Sequence, residues 1–209
     1  RTWDNMTTAY EYGVDDAWIV NVGDLKPMEL PLTYFLDLAY DFETYGSSNP
    51  NSVDEYTKNW VKQQFAAADL SEEEVQEIAD ILTGYTDMNG ATKPESLNAE
   101  THNVVNYNEV QRHLAEALRL EELADKYLAK FENTELYDAY YELVYYPAAA
   151  TANLNQLWMY MALNQKYAKN GSVLANVYGK LVEEAMDIDR ALTAEYNTLG
   201  GDLNGKDKW

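Results

Sequence analysis

The chain has 209 residues, of which 36 are acidic and 15 basic, for a net charge of −21, and 46% are hydrophobic. That hydrophobic content supports a packed core, while the charge balance argues against nucleic acid and anionic membrane surfaces, both of which need clustered Lys and Arg. Cysteine is absent, which removes disulfide frameworks and thiolate sites from consideration.

Trp3 to Tyr12 reads as the end of a helix, with Met6, Ala9 and Tyr10 on one face and Gly13 as its stop. Asp15-Asp16 then turns the chain into Trp18-Ile19-Val20-Asn21-Val22, the composition of a strand covered on both faces. Gly23-Asp24-Leu25-Lys26-Pro27 is a polar break, after which nearly everything reads as helix. A lone strand cannot pair its own backbone N–H and C=O groups. Ala17–Val22 is therefore expected to belong to a larger sheet, and here to be irregular or paired with a second copy. The opening Arg1-Thr2-Trp3-Asp4 has no signal-peptide anatomy, and because it begins inside an amphipathic pattern without an initiator Met it also suggests a piece of a longer protein.

Pro31 opens the next helix, Leu32 to Tyr40, with Leu32, Phe35, Leu36 and Leu38-Ala39 as its apolar face. Tyr45 to Pro50 is a turn-rich joint. Ser52-Val53-Asp54-Glu55 and Ser71-Glu72-Glu73-Glu74 both have the spacing of a capping box, and the second helix should run to Gly84. Asn106 with Glu109 starts a helix to about Phe131, along which Val110, Leu114, Ala117, Ala124 and Leu128 are apolar. Asn133 to Asn170 is long and contains Pro147, which predicts a kink or a break before Gly171 stops it. From Ser172 to about Leu199, the residues Leu174, Tyr178, Leu181, Ala185, Ile188 and Leu192 form a bundle seam, ended by Gly200-Gly201. No stretch approaches the roughly 20 apolar residues of a membrane span.

Little of this carries chemistry. The acidic run Glu72-Glu73-Glu74 complements a helix dipole, and Glu43, Asp54 and Glu55 lie in surface contexts. Glu183-Glu184 with Asp187 lacks the Glu-x-x-His of a di-iron bundle, and His102 and His113 have no ligand-like spacing, so no metal is expected. There is no phosphate loop, dinucleotide fingerprint or nucleophile elbow, and no cofactor is called for. The polar residues that follow the strand remain: Asn21, Asp24, Lys26 and Glu29 sit where parallel α/β barrels place their working groups. Asp24 could serve in an acid/base pair, Lys26 as an anion partner and Asn21 as a donor to a hydroxyl. Equally, Asp24 and Lys26 could pair across the loop.

Gly13 to Glu29, GVDDAWIVNVGDLKPME, followed by Tyr34-Phe35-Leu36-Asp37-Leu38-Ala39, closely resembles glycoside hydrolase family 115. Further likenesses are Asn106-Tyr107, Tyr140-Tyr141-Glu142-Leu143-Val144 with Tyr146-Pro147 and Ala152-Asn153-Leu154-Asn155, and Lys166-Tyr167-Ala168, in the same order. The family comprises xylan α-1,2-glucuronidases, which remove glucuronic acid or its 4-O-methyl form from xylan. The resemblance implies a mainly all-α chain: a helix-strand-helix remnant of a (β/α)8 barrel over residues 1–44, then a helical bundle of about five helices over 45–209. The rest of the catalytic barrel would lie upstream. Asn21, Asp24, Lys26 and Glu29 would then bind substrate, with the catalytic acid and base unassigned and Lys26 a contact for the uronic carboxylate.

Two functions follow. In one, the chain is part of an α-glucuronidase acting on glucuronoxylan or its oligosaccharides, inactive by itself, from a protein secreted, at the cell surface or in the periplasm. In the other it is a non-catalytic module, whose 18 Tyr, notably Tyr140-Tyr141 and Tyr145-Tyr146, serve domain packing, homodimerisation or glycan contact.

Overall fold

The computed structural model describes residues 2–23 and 25–198, and the described residues are mainly helical with no strand. The helices are α1 (Thr2–Glu11), α2 (Glu29–Tyr40), α3 (Phe42–Tyr45), α4 (Ser52–Gln64), α5 (Glu72–Ala91), α6 (Glu109–Phe131), α7 (Tyr137–Tyr140), α8 (Tyr146–Lys169) and α9 (Leu174–Thr198). They group into two compact units, residues 1–80 and 81–209, with α5 running across the division. The sequence-based boundary at 44/45 falls inside the first unit.

In the first unit, α1 ends as expected. Gly13 adopts φ +85°, its N–H bonds to Tyr10 O at 2.9 Å, and Val14 N–H reaches Ala9 O at 3.0 Å. These two bonds are the Schellman arrangement, which a left-handed glycine makes available. Ala17–Val22 is irregular, as expected where no second strand lies alongside to take up its backbone groups, and Ile19 is 96% exposed.

One carbonyl ties the helices of this unit together. Tyr45 O, at the end of α3, accepts from Trp3 Nε1 at 3.1 Å, Ser52 Oγ at 2.9 Å and Tyr34 OH at 3.5 Å. A terminal helix carbonyl has no partner within its own helix, so side chains from α1, α2 and α4 supply one. Ser52 is consequently not the cap of α4: it is 2% exposed and Asn51 occupies the cap position. The chain passes so tightly at Gly46 that a Cβ there would lie 2.4 Å from Phe42 O. Below this junction Tyr56 OH donates to Asp37 Oδ2 at 2.6 Å. The second capping box is present and reciprocal, with Ser71 N–H on Glu74 Oε2 at 2.9 Å and Glu74 N–H on Ser71 Oγ at 3.3 Å.

The second unit is built on α8, which packs against both α6 and α9. Val110, Ala117, Leu120, Ala124, Tyr127 and Phe131 form the buried face of α6. The stretch before Pro147 is neither broken nor ordinary α-helix. Tyr141–Tyr145 is a π turn in which Tyr146 N–H reaches back five residues to Tyr141 O. Widening the turn accommodates a residue that has no N–H and whose ring crowds the preceding turn. Gly171, at φ +67°, closes α8 with a second Schellman pair, Ser172 N–H to Tyr167 O and Gly171 N–H to Ala168 O.

Two details depart from the sequence reading. Helix α5 continues past Gly84 to Ala91, and that glycine is needed instead for close approach: a Cβ would lie 3.3 Å from Leu120 Cδ1. In α9, Val182, Ala185 and Leu192 are buried whereas Leu174 and Ile188 are more than 40% exposed, so the seam is narrower than its periodicity suggested. The expected helix end at Leu199-Gly200-Gly201 lies outside the described residues.

Because Ser52 is buried and donates to Tyr45 O, Ser52→Ala should lower the unfolding free energy by about 1–2 kcal/mol in urea denaturation. Gly46→Ala should cost more, since its Cβ meets backbone oxygen, and unchanged midpoints in both variants would contradict the Tyr45 junction.

Candidate functional site

The predicted substrate loop stands on an aromatic base. Trp18 Nε1 donates to Val14 O, and the indole packs against Phe35 (centroids 6.1 Å) and edge-on to Phe42 (6.2 Å). Tyr10 stacks on Phe42 at 3.7 Å. These contacts fix Trp18 between α1, α2 and α3, and the chain beyond it projects outward. Asn21 is exposed, Gly23 turns the chain at φ +66°, and Met28 N–H bonds to Leu25 O at 2.8 Å, closing a turn that leads into α2.

Of the predicted site residues, the structure brings two together: Lys26 Nζ lies 3.0 Å from Glu29 Oε1. Glu29 is the first residue of α2, where a negative charge suits the helix dipole, and its Oε2 is shielded and accepts no hydrogen bond among the described residues. The Lys26 and Glu29 side chains are 48% and 30% exposed, so this pair is worth at most about 1 kcal/mol. Asn21 is not joined to them by any described hydrogen bond, and Asp24 lies outside the described residues.

A second constellation was not visible in the sequence. His102, in the loop before α6, stacks on His113 of α6 with ring centroids 3.8 Å apart and planes 30° from parallel. Asn103 builds the loop that places it. Its Oδ1 accepts from the N–H groups of Val105 (2.8 Å) and Asn106 (2.6 Å), its own N–H donates to Glu109 Oε2 at 2.7 Å, and Val110 N–H reaches its carbonyl. Ala99 and Val104 anchor the same loop on a core of Val110, Met159, Ala162 and Leu163.

The two rings open onto a cleft of about 340 Å³, whose polar walls are Asp87 of α5, Glu116 and Arg119 of α6 and Asn155 of α8. Glu116 Oε2 is 3.5 Å from His113 Nδ1. Burial and, after it, the neighbouring His113 hold the His102 imidazole below its ordinary 6.5, against a smaller upward pull from Glu109 and Glu116. No group of three or more His, Cys, Asp or Glu among the described residues is placed to hold a metal ion.

Of the two tyrosine clusters, Tyr140-Tyr141 is core, while Tyr145 and Tyr146 are half-buried. Tyr140 and Tyr141 are fully buried, with Tyr140 OH on Ala124 O at 3.0 Å and its ring stacked on Phe131 at 4.9 Å. Neither can meet a glycan or a partner chain.

Residues 1–96 match the model of Glycosyl hydrolase family 115. The assignment drawn from the Gly13–Glu29 motif therefore holds over the part of the chain that carries the loop. The matched residues are similar to a family of glycosyl hydrolases, and they include the whole loop of residues 21–29. The later motifs, and most of the histidine cleft, lie beyond residue 96. No curated protein matches the chain.

His102 should titrate below 6.5 in an NMR pH series, and His113→Gln should raise its midpoint by removing the neighbouring charge. Because the folded value is depressed, the unfolded chain binds the proton more readily. The stabilisation is therefore present above pH 6.5 and is lost as pH falls through the folded midpoint. A His102 midpoint at or above 6.5, or one unmoved by His113→Gln, would contradict the stack.

Proposed function

We propose that the chain is part of a xylan α-glucuronidase, releasing glucuronic acid or its 4-O-methyl form, and that the loop of Asn21, Asp24, Lys26 and Glu29 contacts the substrate. The observation that carries this reading is the family match over residues 1–96, which contains the whole loop. Its geometry is compatible. The Lys26 side chain is 48% exposed, so its ammonium is within reach of a uronic carboxylate.

In this reading residues 1–44 are the end of a catalytic (β/α)8 barrel and 45–209 a helical domain. The exposed apolar side chains Val14, Ile19, Val20 and Leu25 are the surface against which the rest of the barrel closes. The substrate is glucuronoxylan or its oligosaccharides, and the protein works outside the cell or in the periplasm. A general acid and base come from the missing barrel, so the 209 residues alone are inactive.

In the full-length protein, Lys26→Ala should lower kcat/KM on glucuronoxylan oligosaccharides at least about tenfold, mainly through KM, with Lys26→Arg recovering part of it. Asn21→Ala should lower the release of glucuronic acid as well. Wild-type kinetics in both variants would remove the loop from the site, and turnover by the 209 residues alone would refute the need for the barrel.

A further inference from the structure

Residues 98–102, which carry His102 to its partner ring, form a turn bonded to itself. Asn98 N–H donates to Thr101 Oγ1 at 2.9 Å, Thr101 N–H reaches back to Asn98 O at 3.2 Å, and Glu100 N–H donates to Asn98 Oδ1 at 2.8 Å. Asn98 Nδ2 donates to the nearby Ser96 O, and no described hydrogen bond joins residues 98–102 to α5, α6 or α8. The turn is therefore a unit with two fixed ends. Leu97 before it is buried, and Asn103 after it is bonded to Glu109 and Val110 of α6. Between those ends two contacts hold it down: Ala99 on the core of Val110, Met159, Ala162 and Leu163, and the His102 ring on His113. Ala99 has only a methyl to bury, which leaves the ring stack as the larger of the two.

That stack suits neutral rings and opposes two charged ones. With the centroids 3.8 Å apart, a proton on each imidazole sets like charges in contact. The surrounding charges do not cancel this. Glu109 and Glu116 of α6 draw a proton toward His102, but burial and the neighbouring His113 outweigh them. Asp87 of α5 and Arg119 of α6 line the same cleft with opposite signs, and α8 adds only the uncharged Asn155. A turn that swings off α6 carries His102 into water, where it binds its proton with ordinary affinity. Protons thus favour the released turn over the latched one, so release starts below pH 6.5 and grows until the pH passes the lowered folded midpoint. We propose that residues 98–102 are an acid-released strap beside the cleft between α5 and α6, latched at neutral pH by His102 on His113 and freed when both rings are protonated. Release removes one wall of the cleft while Asn103 keeps the start of α6 in place. The strap lies apart from the loop of residues 21–29, so it neither needs nor supports the α-glucuronidase reading.

The rings themselves report the latch, because the chain has only two histidines to assign. Nuclear Overhauser spectra of the 209-residue chain are recorded from about pH 8 to about pH 5, the range over which histidine changes charge. The cross-peak between the His102 and His113 rings should be strong at the upper end and fall about tenfold at the lower. Contacts from the Ala99 methyl to the Val110, Met159, Ala162 and Leu163 cluster should fade with it. Far-ultraviolet circular dichroism should stay constant over the same range, since only the turn moves. His102→Phe keeps an aromatic ring against His113 but takes no proton, so its Ala99 contacts should survive at about pH 5. A ring cross-peak that persists after both imidazoles are protonated, equal loss of the Ala99 contacts in His102→Phe, or loss of helical signal with the same midpoint would overturn the proposal.

Discussion

Every peptide group withdrawn from water must find a partner, and in this chain that requirement decides what each ambiguous segment becomes. Ala17–Val22 has the side chains of a buried strand but no neighbour to bond, so it stays irregular and its Ile19 faces solvent. The last carbonyl of α3 has no helical partner, so Trp3, Tyr34 and Ser52 converge on it and fix the helices from which they come. Pro147 cannot donate, and the helix answers with a π turn ahead of it. Helices α1 and α8 end where a glycine lets two N–H groups fold back onto the last carbonyls.

The same requirement separates what the sequence made legible from what it hid. The stops at Gly13 and Gly171 and the box at Ser71–Glu74 were readable because each is satisfied within a few residues of chain. Ser52 and Gly84 misled for the opposite reason. Ser52 has the spacing of a cap but is spent on Tyr45, and Gly84 looks like a stop but serves contact with Leu120. Side chains used across the fold leave no periodic trace. The pairing of His102 with His113 belongs to this group, since it depends on the turn that Asn103 makes. A signal was present in the Asn103-to-Glu109 stretch, whose asparagines and glutamate are the residues that close loops onto themselves.

The two candidate sites differ in how their geometry is held. The loop at residues 21–29 is anchored at one end by the Trp18 cluster and at the other by α2, with Asn21 and Lys26 exposed between them. The histidine cleft is framed by α5, α6, α8 and the Asn103 turn, so its shape is already set.

The central claim is that Ala17–Val22 is a strand only when a sheet is supplied to it. Amide hydrogen exchange at these residues, compared between the 209-residue chain and the full-length protein, tests this directly. Rapid exchange in the chain and strong protection in the longer protein is the predicted result. Equal, rapid exchange in both would show that these backbone groups never enter a sheet, and would contradict the account.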